Sequence, residues 1–256
     1  MLLTKTNSKS AFSGSNIPVF KVTQAEEALF DLGVTSWIET GDRYIRTDST
    51  GKVTGLIDRA NSDVLVPVSA SPAVINAGIK ALRFSSSPLI GNVDVFSAAN
   101  IQTVINVCRS PLGNTRTIVG SQATSNPLLV YVDTPDTAGI RYIQNLSQTV
   151  INSTAPVKGI GWFSSICSYN LAGASADIFV NGTKVTTAGP VVGTISTSAG
   201  ARKIAVGGSG VNGASLMGSH DFALSIVLPG IAAHQDAAAM AKINALLAEF
   251  MAKLTS

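Results

Sequence analysis

All four glutamates of this chain, Glu26, Glu27, Glu39 and Glu249, lie in its first 39 residues or its last eight. Between Glu39 and Glu249 the only acids are aspartates, threaded through Val, Ile, Thr, Ser, Gly and Asn. β-Branched residues in that density suit a pleated, half-buried surface. The long middle is therefore expected to form a large antiparallel sandwich. The same gap bears on chemistry, because acid–base cleavage of a glycan wants two carboxyls held at a set separation. A binding or structural protein is expected, not an enzyme.

At 256 residues, one undivided β-sandwich is a reasonable size. The mean hydropathy is +0.32. No apolar run approaches the roughly 18–20 residues that span a bilayer. The longest, Phe222-Ala-Leu-Ser-Ile-Val-Leu228, is interrupted by Ser225 and stopped by Pro229. Strands covered on both faces explain the average better than a membrane span. Net charge is +3, from 18 basic residues that are scattered. A nucleic-acid surface needs Lys and Arg gathered in a stripe, so nucleic acid is not an expected partner. The start, Met1-Leu-Leu-Thr-Lys-Thr-Asn-Ser, has no apolar core of a secretory signal. Cys108 and Cys167 both fall in strand-like runs and are expected as buried free thiols. No Cys/His cluster stands ready for a metal, and no cofactor motif is expected.

Residues 1–20 are polar and carry Lys5 and Lys9 but no acid. They read as an extended arm without a core of its own. Thr23-Gln-Ala-Glu26 is a capping box. The short helix it opens should bury Ala25, Ala28, Leu29 and Leu32 and end with Gly33 as C′. Strand patterns begin at Trp37. The runs expected as strands are 52–57, 80–84, 101–109, 116–119, 128–133, 140–143, 148–151, 159–169, 176–180, 183–186, 203–206 and 222–228. Asn181-Gly182 is the strongest hairpin signal, since a type I′ turn needs positive φ at both central residues. After Pro229-Gly230 the period becomes helical. Met240, Ile243, Leu247, Phe250 and Leu254 form one apolar stripe on a helix from about Gln235 to Lys253. That stripe is expected to dock on the sandwich.

The succession of elements resembles the concanavalin A-like lectin/glucanase (laminin-G-like) family, in the form found in phage virion and tail proteins. The resemblance rests on Trp37-Ile-Glu-Thr-Gly-Asp42, Gly51-Lys-Val-Thr-Gly-Leu-Ile-Asp58 and Ala81-Leu-Arg-Phe84. Ser175-Ala-Asp-Ile-Phe-Val-Asn-Gly182, Ile204-Ala-Val-Gly207, Leu216-Met-Gly218 and the closing helix continue it. It covers 35–256, which implies two domains of organisation: an arm with a short helix over 1–34, then a jelly-roll β-sandwich with a docked C-terminal helix. Family members bind sugars or proteins on a concave face or loop rim. Hydrolytic members share a Glu-x-Asp-x-x-Glu strand, which is absent here, so no catalytic residue carries over. Calcium-binding members cluster Asp and Asn on rim loops. Asp133-Thr-Pro-Asp136 is the nearest match, and it suits a plain turn as well.

Three further patterns read as structural. Gly208-Ser-Gly-Val-Asn-Gly213 lacks the helix that phosphate binding would need. His220-Asp221 has no serine elbow, and adjacent strand residues point to opposite faces. Trp162, Tyr131, Tyr142 and Tyr169 could stack on sugars but sit among apolar strand neighbours, so core packing is expected. The sequons at Asn145, Asn152 and Asn181 carry little meaning without secretion.

The expected protein is thus a non-enzymatic phage virion component, a capsid decoration or a tail or fibre part. Its attachment residues would be Lys5, Lys9, Phe12, Ile17, Val19 and Phe20. Its partners would be other virion proteins and a cell-surface glycan, and it would form a homo-oligomer, a trimer by preference. A bacterial glycan-binding module is the second reading, and an Asp-based glycan hydrolase the third.

Overall fold

The computed structural model describes residues 22–85, 87–96, 100–109, 116–122, 128–133, 137–144, 147–157, 160–170, 172–185, 203–208 and 219–255. In chain order the first strands are β1 (Ser36–Glu39), β2 (Ile45–Thr47), β3 (Val53–Ile57), β4 (Val64–Pro67), β5 (Ala73–Ala77), β6 (Ile79–Phe84), β7 (Leu89–Asp94) and β8 (Ile101–Arg109). They continue as β9 (Arg116–Gln122), β10 (Leu128–Asp133), β11 (Thr137–Gln144), β12 (Ser147–Pro156), β13 (Trp162–Asn170), β14 (Ser175–Val180), β15 (Thr183–Lys184), β16 (Lys203–Val206) and β17 (His220–Pro229). Two helices flank them, α1 (Gln24–Phe30) and α2 (Ala237–Thr255).

The strands make two antiparallel sheets. The front sheet runs β15-β14-β13-β8-β17-β6-β5, with β1 also paired to β17. The back sheet runs β12-β11-β10-β9-β16-β7-β4-β3-β2. This is the all-β sandwich that the glutamate-poor middle implied. Strand β17 sits at the centre of the front sheet. Its whole length pairs with β8 on one edge. Its other edge is shared between β6, at His220–Phe222, and β1, at Leu224–Val227. A bulge accommodates the change: Phe222 faces Cys108 and Leu224 faces Val107, leaving Ala223 extra. The Ala223 carbonyl accepts from Thr40 N at 2.9 Å and Thr40 Oγ1 at 3.1 Å.

The front sheet is covered on both faces, which explains its near-continuous apolar runs. Val104, Cys108, Phe163, Cys167, Phe222 and Val227 point inward, against Leu56, Leu65, Ile118, Val119, Ile204 and Val206 of the back sheet. Ile105, Val107, Ile166, Leu224, Ile226 and Leu228 point outward, against Leu29 of α1 and Ile243, Leu246, Leu247, Phe250 and Leu254 of α2. The expected α2 stripe is therefore docked, with Met240 at its partly buried margin. The helix starts two residues later than its apolar spacing indicated. Asp236 is its N-cap, accepting from the amides of Ala238 and Ala239 at 2.9 Å each. The preceding Ala233–Gln235 forms a 3₁₀ turn.

Local signals were realised closely. The capping box is present, with Glu26 N donating to Thr23 Oγ1 at 3.2 Å and Thr23 N donating to Glu26 Oε2 at 3.3 Å. Gly33 holds φ +84 just after α1, although the helix itself ends at Phe30. Asn181 and Gly182 have φ of 49 and 78, the type I′ signature. Cys108 and Cys167 are buried free thiols, and burial pushes the Cys167 thiol up to about 12. Strands β2, β4, β5 and β7 were not foreseen. β2 has only three residues, and β4, β5 and β7 carry Pro67, Asn76, Gly91 and Asn92, which hide the strand pattern.

Candidate functional site

The fold gathers residues that look unrelated in sequence. Asp58 is fully buried at the turn after β3. Its carboxylate accepts from Ser36 Oγ, from Trp37 N at 2.9 Å, from Ala60 N at 2.8 Å and from Asn61 Nδ2 at 3.2 Å. Burial raises its pKa above the ordinary Asp value, although those four donors oppose the shift. This ring of donors fixes the turn and with it the next residue, Arg59.

Arg59 is the hub of a small box. Its guanidinium carbon lies 4.6 Å from the Trp37 ring centroid, 5.2 Å from Tyr44 and 6.0 Å from Phe30. Phe30 and Trp37 stack on each other at 4.7 Å. The same guanidinium donates to Glu39 Oε2 and, at 3.3–3.4 Å, to both oxygens of Glu26. Trp37 Nε1 also donates to Glu39 Oε2, at 3.1 Å. Burial alone would lower the Arg59 pKa, but Glu39 and Glu26 outweigh it and raise it. Tyr44 titrates higher than usual through burial, against the pull of Arg59.

Beside this box opens a cleft of about 290 Å³, lined by Val22, Glu26, Glu39, Gly41, Asp42, Arg43, Tyr44 and Arg59. Glu26 and Glu39 thus come together, although their places in the sequence argued against any carboxyl pair. Nothing in the spacing announces this: Arg59 is 33 residues from Glu26 and 20 from Glu39. Both carboxylates, however, already hold a guanidinium. The cleft has the makings of a binding site: the Tyr44 ring, fixed donors and acceptors, and rigid supports.

A second cluster lies on the outer face of the front sheet. Arg83, Asp221, Arg109 and Trp162 stand in register across β6, β17, β8 and β13. Asp221 is wholly buried, while the Arg83 and Arg109 side chains are 45% and 35% exposed. Arg83 donates from Nε at 2.7 Å and Nη2 at 3.0 Å. Arg109 donates from Nε at 2.9 Å and Nη2 at 2.6 Å. Burial alone would raise the Asp221 carboxyl, but both arginines hold it below its ordinary value. Arg109 lies 5.1 Å over the Trp162 ring.

His220, next door, turns inward and stacks on Phe84 at 5.3 Å. The expectation that His220 and Asp221 face opposite ways is met. The histidine with serine partners is His234, in the 3₁₀ turn. Ser168 Oγ lies 2.7 Å from its Nδ1 and Ser175 Oγ 3.0 Å from its Nε2. Ser168 is fully buried and also accepts from Thr103 Oγ1 at 3.0 Å, so this group ties the turn to the sheet. Burial lowers the His234 pKa, with Asp177 opposing and Lys184 reinforcing the shift.

Among the residues singled out from sequence, Tyr169 is core, its hydroxyl donating to Gln102 Oε1 at 2.8 Å. Trp162 is half-buried under Arg109. The side chains of Tyr131 and Tyr142 lie outside the described residues, as do 134–136 of the aspartate turn, 209–213 of the glycine-rich loop and Asn145. So do all six arm residues, Lys5, Lys9, Phe12, Ile17, Val19 and Phe20. Among the described residues no three His, Cys, Asp or Glu side chains are grouped to hold a metal. No helix among them is long and apolar enough to cross a membrane.

No protein-family model matches the chain. No curated protein matches it either. Solved structures do match its fold. A sialidase from Trypanosoma rangeli, solved with 2,3-difluorosialic acid as a covalent intermediate, aligns with TM-score 0.56 at 10% identity, over 83% of this chain and 32% of that one. Domain 4 of an extracellular GH43 arabinanase from Geobacillus stearothermophilus, solved with arabinotriose, aligns with TM-score 0.50 at 14% identity. That alignment covers 83% of this chain and 97% of the domain. The chain therefore spans about a third of the sialidase but nearly all of the arabinanase domain. At such identities the likeness establishes the β-sandwich fold and nothing finer.

Proposed function

We propose that this chain is a non-enzymatic binding protein, a concanavalin A-like sandwich that takes a saccharide in the cleft beside Tyr44. The observation that carries the reading is the pairing, in one cleft, of the Tyr44 ring with the Glu26 and Glu39 carboxylates that Arg59 holds in place. Sugars are held by such a mix of ring contact and forked hydrogen bonds. Support of a weaker kind comes from the arabinanase domain, which was solved with arabinotriose. A glycan array probed with the full chain, followed by calorimetry on the best ligand, tests this directly. Tyr44→Ala should weaken binding about tenfold, the scale of one lost aromatic contact. Turnover of β-glucans, galactans or bacterial surface polysaccharides that disappears in Glu39→Gln would replace the binding reading with a hydrolytic one.

The finer setting we propose is a phage virion, as a capsid decoration or a tail or fibre part, attached through residues 1–20. Other virion proteins would be its partners, with a homo-oligomer, a trimer by preference, as the displayed unit. The support is the acid-free arm with Lys5, Lys9, Phe12, Ile17, Val19 and Phe20. Too few apolar groups lie there to fold alone, yet enough to anchor on another chain. Deleting residues 2–20 should leave the melting temperature nearly unchanged and abolish incorporation into particles. Normal incorporation of the shortened chain would leave the second reading, a bacterial glycan-binding module.

A further inference from the structure

The Arg83–Asp221–Arg109 row has more positive charge than its structural task requires. One buried carboxylate needs one cation to be tolerated, and here it has two. Each arginine spends Nε and Nη2 on Asp221. Each guanidinium carries five N–H donors, so the Nη1 end of both remains to be used among the described residues. Those ends belong to side chains that are 45% and 35% exposed, whereas Asp221 is completely covered. An anion arriving from solvent therefore meets two guanidiniums and not the carboxylate beneath them.

The supports are rigid. The three residues are directly cross-strand on β6, β17 and β8, and the Trp162 ring backs Arg109. A guanidinium already held by a carboxylate and a ring loses little freedom when it binds again. The helices pack against Ile105, Val107, Leu224, Ile226 and Leu228 of this face, and the Arg83 and Arg109 side chains keep their exposure beside them. The Tyr44 cleft has the opposite balance, with Glu26 and Glu39 on a single Arg59, and would repel the same ligand.

We propose that this row is a receptor for the acid group of an anionic saccharide, a uronic acid carboxylate or a sugar sulfate. Both groups are oxyanions that match the guanidinium fork. The proposal rests on the reading of the chain as a saccharide-binding protein and adds to it a second, acid-accepting site apart from the Tyr44 cleft.

Calorimetry of the full chain with three oligomers of equal length tests it: an oligogalacturonate, a sulfated galacto-oligosaccharide and a neutral galacto-oligosaccharide. At least one acidic probe should bind about tenfold or more tighter than the neutral one, and which acidic probe wins identifies the oxyanion. Arg83→Lys and Arg109→Lys keep a cation for Asp221 but lose the fork, and each should weaken the acidic probe about tenfold. Raising salt should weaken the wild-type complex, a measurement that does not depend on any variant folding. Equal binding of neutral and acidic probes, insensitivity to both Lys variants, or indifference to salt would each overturn the proposal. Neutral binding that is lost in Tyr44→Ala would leave the broader reading standing, whereas no binding of any probe would end both.

Discussion

Two clusters on this sandwich solve the same electrostatic problem with opposite stoichiometry. Beside the cleft, one arginine serves two carboxylates, with Arg59 and Glu26 only 11% exposed and Glu39 17%. On the outer face, two half-exposed arginines serve one buried aspartate. In the first the cation is the hidden partner, boxed by Phe30, Trp37 and Tyr44. In the second the hidden partner is the anion. On the outer face the surplus arginines reach the solvent, whereas beside the cleft the two carboxylates are nearly as covered as the arginine they share. The first cluster offers acceptors to a ligand and the second offers donors.

The contrast can be broken experimentally. The largest effect is expected at Arg59, because removing it strands two poorly solvated carboxylates and unpins α1. Arg59→Met should cost about 3–5 kcal/mol in chemical denaturation, and a loss under about 1 kcal/mol would mean that the box is not what anchors the helix. Asp221→Asn should cost less, about 1–2 kcal/mol, since its two partners can be hydrated where they stand. Equal losses at the two sites would erase the distinction between a hidden cation and a hidden anion.

The smallest effect is a pH dependence elsewhere on the outer layer, where His234 serves as a neutral reference. Burial holds it below its ordinary value of 6.5, so the unfolded chain takes up the proton first as the pH falls. The stability it supports is complete above about pH 6.5 and declines below it. The decline from pH 7 to 5 should be smaller in His234→Gln than in wild type by under about 1 kcal/mol. An unchanged slope would assign that pH dependence to other groups.

What could be read from the residues beforehand follows the range of the interaction. The Thr23–Glu26 capping box, the Asn181-Gly182 turn and the α2 stripe each act within a few residues, and each appears in the fold. The double covering of the front sheet was visible in the closely spaced Ile101, Val104, Ile105, Val107 and Cys108 of β8. The Arg59 box was not, because it depends on β1 lying beside β17 and on the Asp58 turn, contacts with no local signature. The scarcity of glutamate in the middle of the chain indicated the sandwich correctly. It misjudged the neighbourhood of Glu26 and Glu39, which the fold brings onto one guanidinium. The Arg83–Asp221–Arg109 row was equally hidden, since register alone creates it.

The central place of β17 has a consequence for how the protein is made. Strands β1, β6 and β8 all hydrogen-bond to a segment that begins at His220, near the end of the chain. On the ribosome, most of the front sheet must wait for its middle strand until residues 220–229 have been made. Until then the apolar edges of β6 and β8 have no mate, and closure requires contacts of very large sequence separation, the class that forms slowly. A nascent chain halted before residue 220 would present an incomplete sheet to the chaperones.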